Sequence, residues 1–123
     1  MDEILDKHSE DRSCVTQYRM GEMFVKGANP RDYRLAAKWY LQSARQGFVK
    51  SQRRIGTMYA MGYGLPKDYI KAYAWFMVAA AQHSSRARRN LGRIENRMTP
   101  GQIGLAKKLA QQYYETFVKP FKS

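Results

Sequence analysis

Two stretches of the sequence, residues 20–44 and 55–80, are copies of each other. Matched residues lie 35 positions apart before a short loop and 36 positions apart after it. The matched pairs are Gly21 and Gly56, Met23 and Met58, Gly27 and Gly62, Asp32 and Asp68, Ala36 and Ala72, Trp39 and Trp75, Tyr40 and Phe76, and Ala44 and Ala80. A unit this short cannot bury its apolar side alone, so copies must stack, and the repeat predicts a solenoid.

Each copy has the pattern of two helices joined by a glycine-containing loop. Apolar and small residues recur every three or four positions from Ser51 to Gly62, which is typical of one helical face. Gly62 is expected to end this helix, because glycine adopts the left-handed conformation at low cost. Asp68 is expected to cap the next helix, residues 69–82, by accepting hydrogen bonds from its first amides, and Asp32 to do the same in the first copy. The repeated aromatic residues are expected in the core.

A third unit begins at Ala87 and lacks the later markers of the repeat. Its first helix is expected over residues 84–98, and Thr99 and Pro100 then suit the cap and first position of a last helix. We therefore divide the chain into an acidic leader, the repeats and a C-terminal capping helix. The boundaries are 1–15 for the leader, 16–98 for the repeats (16–50, 51–86 and a partial third from 87) and 99–123 for the capping helix.

The spaced residues of the second copy resemble the Sel1-like repeat, a relative of the tetratricopeptide repeat. The residues that carry this resemblance are Ile55, Gly56, Met58, Tyr59, Gly62, Gly64, Asp68, Ala72, Trp75, Ala79 and Ala80. The first copy departs from the pattern in its loop, residues 27–32, which lacks the second glycine. The resemblance implies an all-α, right-handed α-solenoid of about two helical-hairpin repeats plus a C-terminal capping helix pair. It also implies a non-enzymatic protein-binding role, of the kind that assembles signalling, secretion or envelope complexes in bacteria.

The charge of the chain is strongly positive and unevenly distributed. Lys and Arg number 22 against 10 Asp and Glu, which gives a net charge of +12. Residues 1–17 hold five acidic and two basic side chains, so the positive charge lies in the remainder. Such a field attracts polyanions, acidic protein surfaces or anionic lipids.

Arginines of the third unit recur on one side of its first helix. Arg86, Arg89, Arg93 and Arg97 fall within an arc of about 80° at 100° per residue. One repeat earlier, the first three correspond to Lys50, Arg53 and Thr57. Because the first helices of such hairpins line the concave side of a solenoid, we expect one basic partner-binding groove. Its residues are Lys50, Arg53, Thr57, Arg86, Arg89, Arg93 and Arg97.

An acidic protein or peptide is the expected partner of this groove, since arginine forks pair with carboxylates. Nucleic acid is the alternative, because clustered arginines and a pI near 10.0 are its electrostatic footprint. The acidic leader could also fold across the groove and compete with a partner. A homodimer through the C-terminal aromatics Tyr114, Phe117 and Phe121 is a further possibility.

The sequence favours neither catalysis nor a metal or cofactor. His8 and His83 are far apart, and no local cluster of ligand residues is visible. Cys14 is expected to be an inert thiol, because no histidine near it in sequence could stabilise the thiolate. A single cysteine and the lack of a long apolar run predict a cytoplasmic protein without a membrane span.

Overall fold

The computed structural model describes residues 2–27 and 30–122, with side chains described for residues 13–27 and 32–122. This part of the chain forms helices and turns without a strand. The helices are α1 (Asp2–Lys26), α2 (Pro30–Ala44), α3 (Val49–Met61), α4 (Tyr69–Ala81), α5 (Ser85–Glu95), α6 (Pro100–Phe117) and a short 3₁₀ helix (Lys119–Phe121). Helices α1 and α2 form one hairpin, α3 and α4 form the next, and α5 packs on α4.

Local caps begin and end the helices much as the sequence predicts. Gly62 ends α3 with a φ of 71°, and the Asp68 carboxylate accepts a hydrogen bond of 3.0 Å from the Lys71 amide. Thr99 and Gln102 form a reciprocal capping box at the start of α6. The prediction for Asp32 is wrong, because Asp32 lies inside the first turn of α2, where its charge faces the positive end of the helix dipole.

Two further helix boundaries differ from the prediction. Helix α1 runs without a break from Asp2 to Lys26, across the boundary expected at residue 15 between the acidic leader and the repeats. The side chains of residues 1–12 lie outside the described residues, so the competition of the acidic leader stays a prediction. Helix α5 ends at Glu95, and turns follow it as far as Met98.

Aromatic rings fill the space between helices that glycines bring close together. The ring of Tyr40 lies against Gly21, and the ring of Phe76 lies against Gly56 in the equivalent place of the second hairpin. Either glycine, given a side chain, would collide with the ring it faces. At Gly92, the equivalent position of α5, an added Cβ would have no group of another helix within 4 Å.

Helix α6 is held mainly by α4. Trp75 of α4 is 2% exposed, and its ring centre lies 4.5 Å from that of Tyr113 and 5.5 Å from that of Phe117. Among the C-terminal aromatics considered for a homodimer, Phe117 is therefore used within the chain. Tyr114 is half-buried and accepts a hydrogen bond from Lys122, whereas Phe121 is exposed.

Amide side chains connect the two helices of each hairpin at equivalent positions. Gln46 donates to Gln17 over 2.8 Å in the first hairpin, and Gln82 donates to Gln52 over 2.7 Å in the second. Gln52 is fully buried and also donates to the backbone oxygen of Ala44. Buried amides with these partners fix the register of the helices, since an unpaired buried amide is costly.

The junction between the two hairpins contains a buried pair of hydroxyl groups. Ser51 Oγ donates to Ser43 Oγ over 2.6 Å, and Ser43 Oγ donates to the backbone oxygen of Cys14. The residues 36 positions later, Ala79 and Ala87, are also fully buried. The second junction, between α4 and α5, therefore has small buried residues at the equivalent positions but no hydroxyl groups.

Because only the first junction has paired hydroxyl groups, we predict that substitutions of Ser43 and Ser51 have non-additive effects on the free energy of unfolding. Ser43→Ala removes the acceptor of the buried Ser51 hydroxyl and is expected to lower the free energy of unfolding by about 1–3 kcal/mol. The double variant Ser43→Ala/Ser51→Ala should lose less than Ser43→Ala alone, because it recreates the alanine pair of the second junction. Urea unfolding of the wild-type chain, Ser43→Ala, Ser51→Ala and the double variant measures this coupling. A double variant that is less stable than Ser43→Ala would contradict it.

Candidate functional site

Arginines from two neighbouring helices line one cleft. Arg53 comes from α3, whereas Arg86, Arg89 and Arg93 come from α5. Together with Asn90 they enclose a volume of about 240 Å³. We call these five residues the arginine cleft.

The orientation of α5 places its arginines in this cleft. Ser84 caps the helix by accepting a hydrogen bond of 3.2 Å from the Ala87 amide. Ala87 and Ile94 are buried against α4, so the opposite side of α5 remains exposed. Buried Tyr73 of α4 donates a hydrogen bond of 2.7 Å to Glu95. Burial and this carboxylate raise the pKa of Tyr73 to about 12, so its hydroxyl stays a donor.

Two adjacent arginines of α3 have opposite electrostatic surroundings. Arg54 Nε lies 2.9 Å from Glu22 Oε1. Burial is the largest single influence and opposes the charge of Arg54, but the Glu22 carboxylate together with Tyr18 and Tyr40 outweighs it, so the pKa of Arg54 is raised. Burial also lowers the pKa of Arg53, and the charges of Arg54 and Arg86 lower it further. Arg53 is thus a half-buried cation that Arg54 and Arg86 each oppose more strongly than the Glu22 carboxylate favours it.

The arginine cleft is not neutralised by the acidic side chains that the structure describes. The ion pairs among the described side chains are Arg54 with Glu22 and Lys119 with Glu115. Neither pair includes a residue of the arginine cleft. An anion that enters the cleft would therefore meet guanidinium groups that no described carboxylate already engages.

A second cavity continues from the arginine cleft along α3 and α5. It encloses about 460 Å³ and shares Asn90 and Arg93 with the cleft. We call it the apolar pocket. Its apolar residues are Ala60, Met61, Phe76 and Ile94, and its polar residues are Thr57, Lys67, Tyr69, Asn90, Arg93 and Arg97.

Two cationic side chains lie beside one tyrosine at the edge of the apolar pocket. The side chains of Lys67 and Arg97 lie beside Tyr69, and their positive charges lower the pKa of its hydroxyl. Lys67 Nζ also lies 4.9 Å from the centre of the Tyr69 ring. These contacts hold positive charge beside the apolar wall.

The structure brings together most of the residues expected in the groove. Arg53, Arg86, Arg89 and Arg93 meet in the arginine cleft, whereas Thr57 and Arg97 line the adjoining apolar pocket. Lys50 is exposed near the start of α3 and lines neither cavity.

Three polar residues that line these cavities, Asn90, Lys67 and Tyr69, were not predicted from the sequence. Helical spacing could have identified Asn90, which lies four positions after Arg86 on the same side of α5. Lys67 and Tyr69 come from the loop before α4 and from its first turn. The periodicity of one helix contains no signal for them.

A search of the described side chains reveals no group of three or more His, Cys, Asp or Glu residues that could hold a metal ion. Of the helices described, none combines the length and the apolar character that a membrane crossing requires.

Comparisons with known proteins agree with the repeat pattern. The family model of the Sel1 repeat matches residues 15–48 and 49–84, which is more than half of the chain. A search of curated proteins finds no match. The structure is similar to the crystal structure of c5321, a protective antigen present in uropathogenic Escherichia coli strains that displays an SLR fold. The TM-score is 0.83 at 28% sequence identity, over 94% of this chain and 25% of the other.

The chain thus spans about a quarter of the length of that solved protein. The likeness covers nearly all of the present chain, including the helices that follow the second matched repeat. Together the family match and the shared architecture confirm the resemblance and the α-solenoid fold. This chain belongs to the Sel1 repeat family.

Proposed function

We propose that this chain is a non-enzymatic adaptor that binds an acidic protein or peptide in the arginine cleft. Sel1 repeats are generally protein–protein interaction modules, which supports the general role. The observation that carries the proposal is the convergence of four arginines from α3 and α5 on one cleft that no described carboxylate neutralises. Guanidinium groups bind carboxylates through paired, charge-assisted hydrogen bonds, so acidic side chains are suitable ligands.

The surroundings of Arg53 support an anionic ligand. A half-buried guanidinium loses hydration, and its positive neighbours Arg54 and Arg86 increase the cost of its charge. A carboxylate in the cleft would offset both costs, because its charge and its hydrogen bonds favour the charged guanidinium. Exposed Lys50 and the pocket residues Thr57 and Arg97 flank this position and extend the proposed binding surface. With one cysteine in the sequence, a reducing cytoplasm is the proposed setting.

Nucleic acid is the alternative ligand, because the net charge of +12 attracts any polyanion. The two ligands place different demands on the protein. A phosphate backbone responds to positive charge along the whole surface, whereas an acidic peptide in a cleft responds to the charges that line it.

Two charge reversals on neighbouring residues of α5 separate these mechanisms. Arg89 lines the arginine cleft, whereas exposed Arg88 lines neither cavity. Arg89→Glu is expected to weaken binding of a fluorescein-labelled glutamate-rich peptide about tenfold or more. Arg88→Glu makes the same change in net charge and should have a much smaller effect. Fluorescence anisotropy titrations measure both affinities.

The outcome of the same titrations can also contradict the proposal. Equal losses in Arg88→Glu and Arg89→Glu would show that net charge, and not the cleft, determines binding. Tighter binding of a labelled duplex DNA, with log affinity falling by about 0.9 per phosphate contact for each unit of log salt, would favour nucleic acid. Circular dichroism spectra of both variants control for loss of the fold.

A further inference from the structure

The joined cavities point to a ligand with two kinds of side chain. We propose that the apolar pocket receives one large apolar side chain of the same protein segment whose carboxylate enters the arginine cleft. This inference rests on the proposed function and specifies the ligand further. The recognised segment is acidic with an apolar anchor, and is not acidic alone.

The continuity of the two cavities supports one ligand for both. Asn90 and Arg93 line the arginine cleft on one side and the apolar pocket on the other. Residues of α3 and α5 contribute to both cavities, so a chain lying between these helices meets both. The pocket volume of about 460 Å³ falls within the range of about 300–1,000 Å³ that is usual for ligand pockets.

The chemistry of the pocket favours an apolar anchor. Met61 is 55% exposed at its wall, and Phe76 and Ile94 also line it. Covering this surface removes apolar area from water, which is favourable. A ligand that was only apolar would desolvate the Arg93 guanidinium without compensation. A carboxylate beside the anchor avoids that cost because Arg93 also borders the arginine cleft.

The positions along α5 indicate the spacing within the ligand. On α5 and the turn that follows it, the residues of the arginine cleft are centred about four residues before those of the apolar pocket, which corresponds to about 6 Å at the rise of a helix. Side chains on one side of an extended strand are about 6.6 Å apart, at every second residue. We therefore expect the acidic residue and the apolar anchor to lie two positions apart.

Two labelled peptides of identical length test the anchor. Both have one glutamate-rich sequence, and they differ only two positions from a glutamate, where one has leucine and the other alanine. The leucine peptide is expected to bind the wild-type chain about tenfold more tightly in anisotropy titrations. Met61→Ala should weaken the leucine peptide about fivefold and leave the alanine peptide unchanged. A matched control is Met23→Ala, which removes another exposed methionine, on α1.

The outcomes distinguish the anchor from the proposed function. If both peptides bind the wild-type chain equally and Arg89→Glu weakens both, the anchor is overturned and the acidic ligand is retained. If neither peptide binds, the proposed function and the anchor both fail. Equal weakening of the leucine peptide by Met61→Ala and Met23→Ala would also overturn the anchor, because the loss would then not depend on the pocket.

Discussion

Replacement of Trp75 by alanine is expected to lower the free energy of unfolding by about 3–5 kcal/mol. Trp75 is 2% exposed and packs against the rings of Tyr113 and Phe117. The substitution leaves a cavity between α4 and α6 and removes the aromatic contacts that hold α6 against α4. Urea unfolding followed by circular dichroism measures the loss.

Trp39→Ala is the matched control for this prediction. Trp39 occupies the equivalent position of the first repeat, but it is only partly buried. Its removal exposes less new apolar surface, so the expected loss is about 1–2 kcal/mol. Losses of the same size in the two variants would contradict the view that α6 is held by the Trp75 cluster.

Gly64→Ala is expected to lower the free energy of unfolding by about 2–4 kcal/mol. Gly64 has a φ of 72°, which is unfavourable for alanine, and an added Cβ would collide with the backbone carbonyl of Tyr33 in the first repeat. A backbone carbonyl at the start of a helix cannot move aside as a flexible side chain can. The loop that contains Gly64 would have to shift. This shift would disturb the stacking of Tyr33 on Tyr63, whose ring centres lie 5.2 Å apart.

Gly104→Ala provides the opposite result in the same assay. Gly104 lies within α6 and is exposed, with no other group within 4 Å of an added Cβ. Alanine in an exposed helix interior is more favourable than glycine, so we expect a gain of about 0.5–1 kcal/mol. If Gly64→Ala is as stable as Gly104→Ala, the close contact between the repeats is not important for stability.

The parts of the fold that depend on nearby residues could be predicted from the sequence. Gly62, Asp68 and Thr99 end or begin helices through contacts only a few positions away. Such contacts depend on residue type and short spacing, both of which are visible in the sequence.

Features that depend on the neighbouring repeat could not be predicted in this way. Trp39 and Trp75 have the same place in the repeat, but only Trp75 is covered by rings from α6. Gly64 lies against the backbone of Tyr33 in the preceding repeat, and the pattern of a single copy does not show this contact.

The candidate site could also be predicted only where it depends on spacing within a helix and between equivalent positions of the repeat. Helical spacing placed Arg86, Arg89 and Arg93 on one side of α5, and the repeat offset connected them with Arg53. The offset also selected Lys50, which lies near the start of α3 and outside both cavities. The side-chain partners of α3 were also not predicted, since the Arg54 to Glu22 ion pair joins two repeats through a long-range contact.

The unlike junctions have a consequence for the order of the repeats. If residues 49–84 were duplicated in tandem, Ala79 of one copy would face Ser51 of the next, and that buried hydroxyl would lose its acceptor. Each hairpin therefore fits the hairpin that comes before it in the chain and cannot be exchanged for another. Lengthening the protein by internal duplication would require compensating substitutions at the new junction between hairpins.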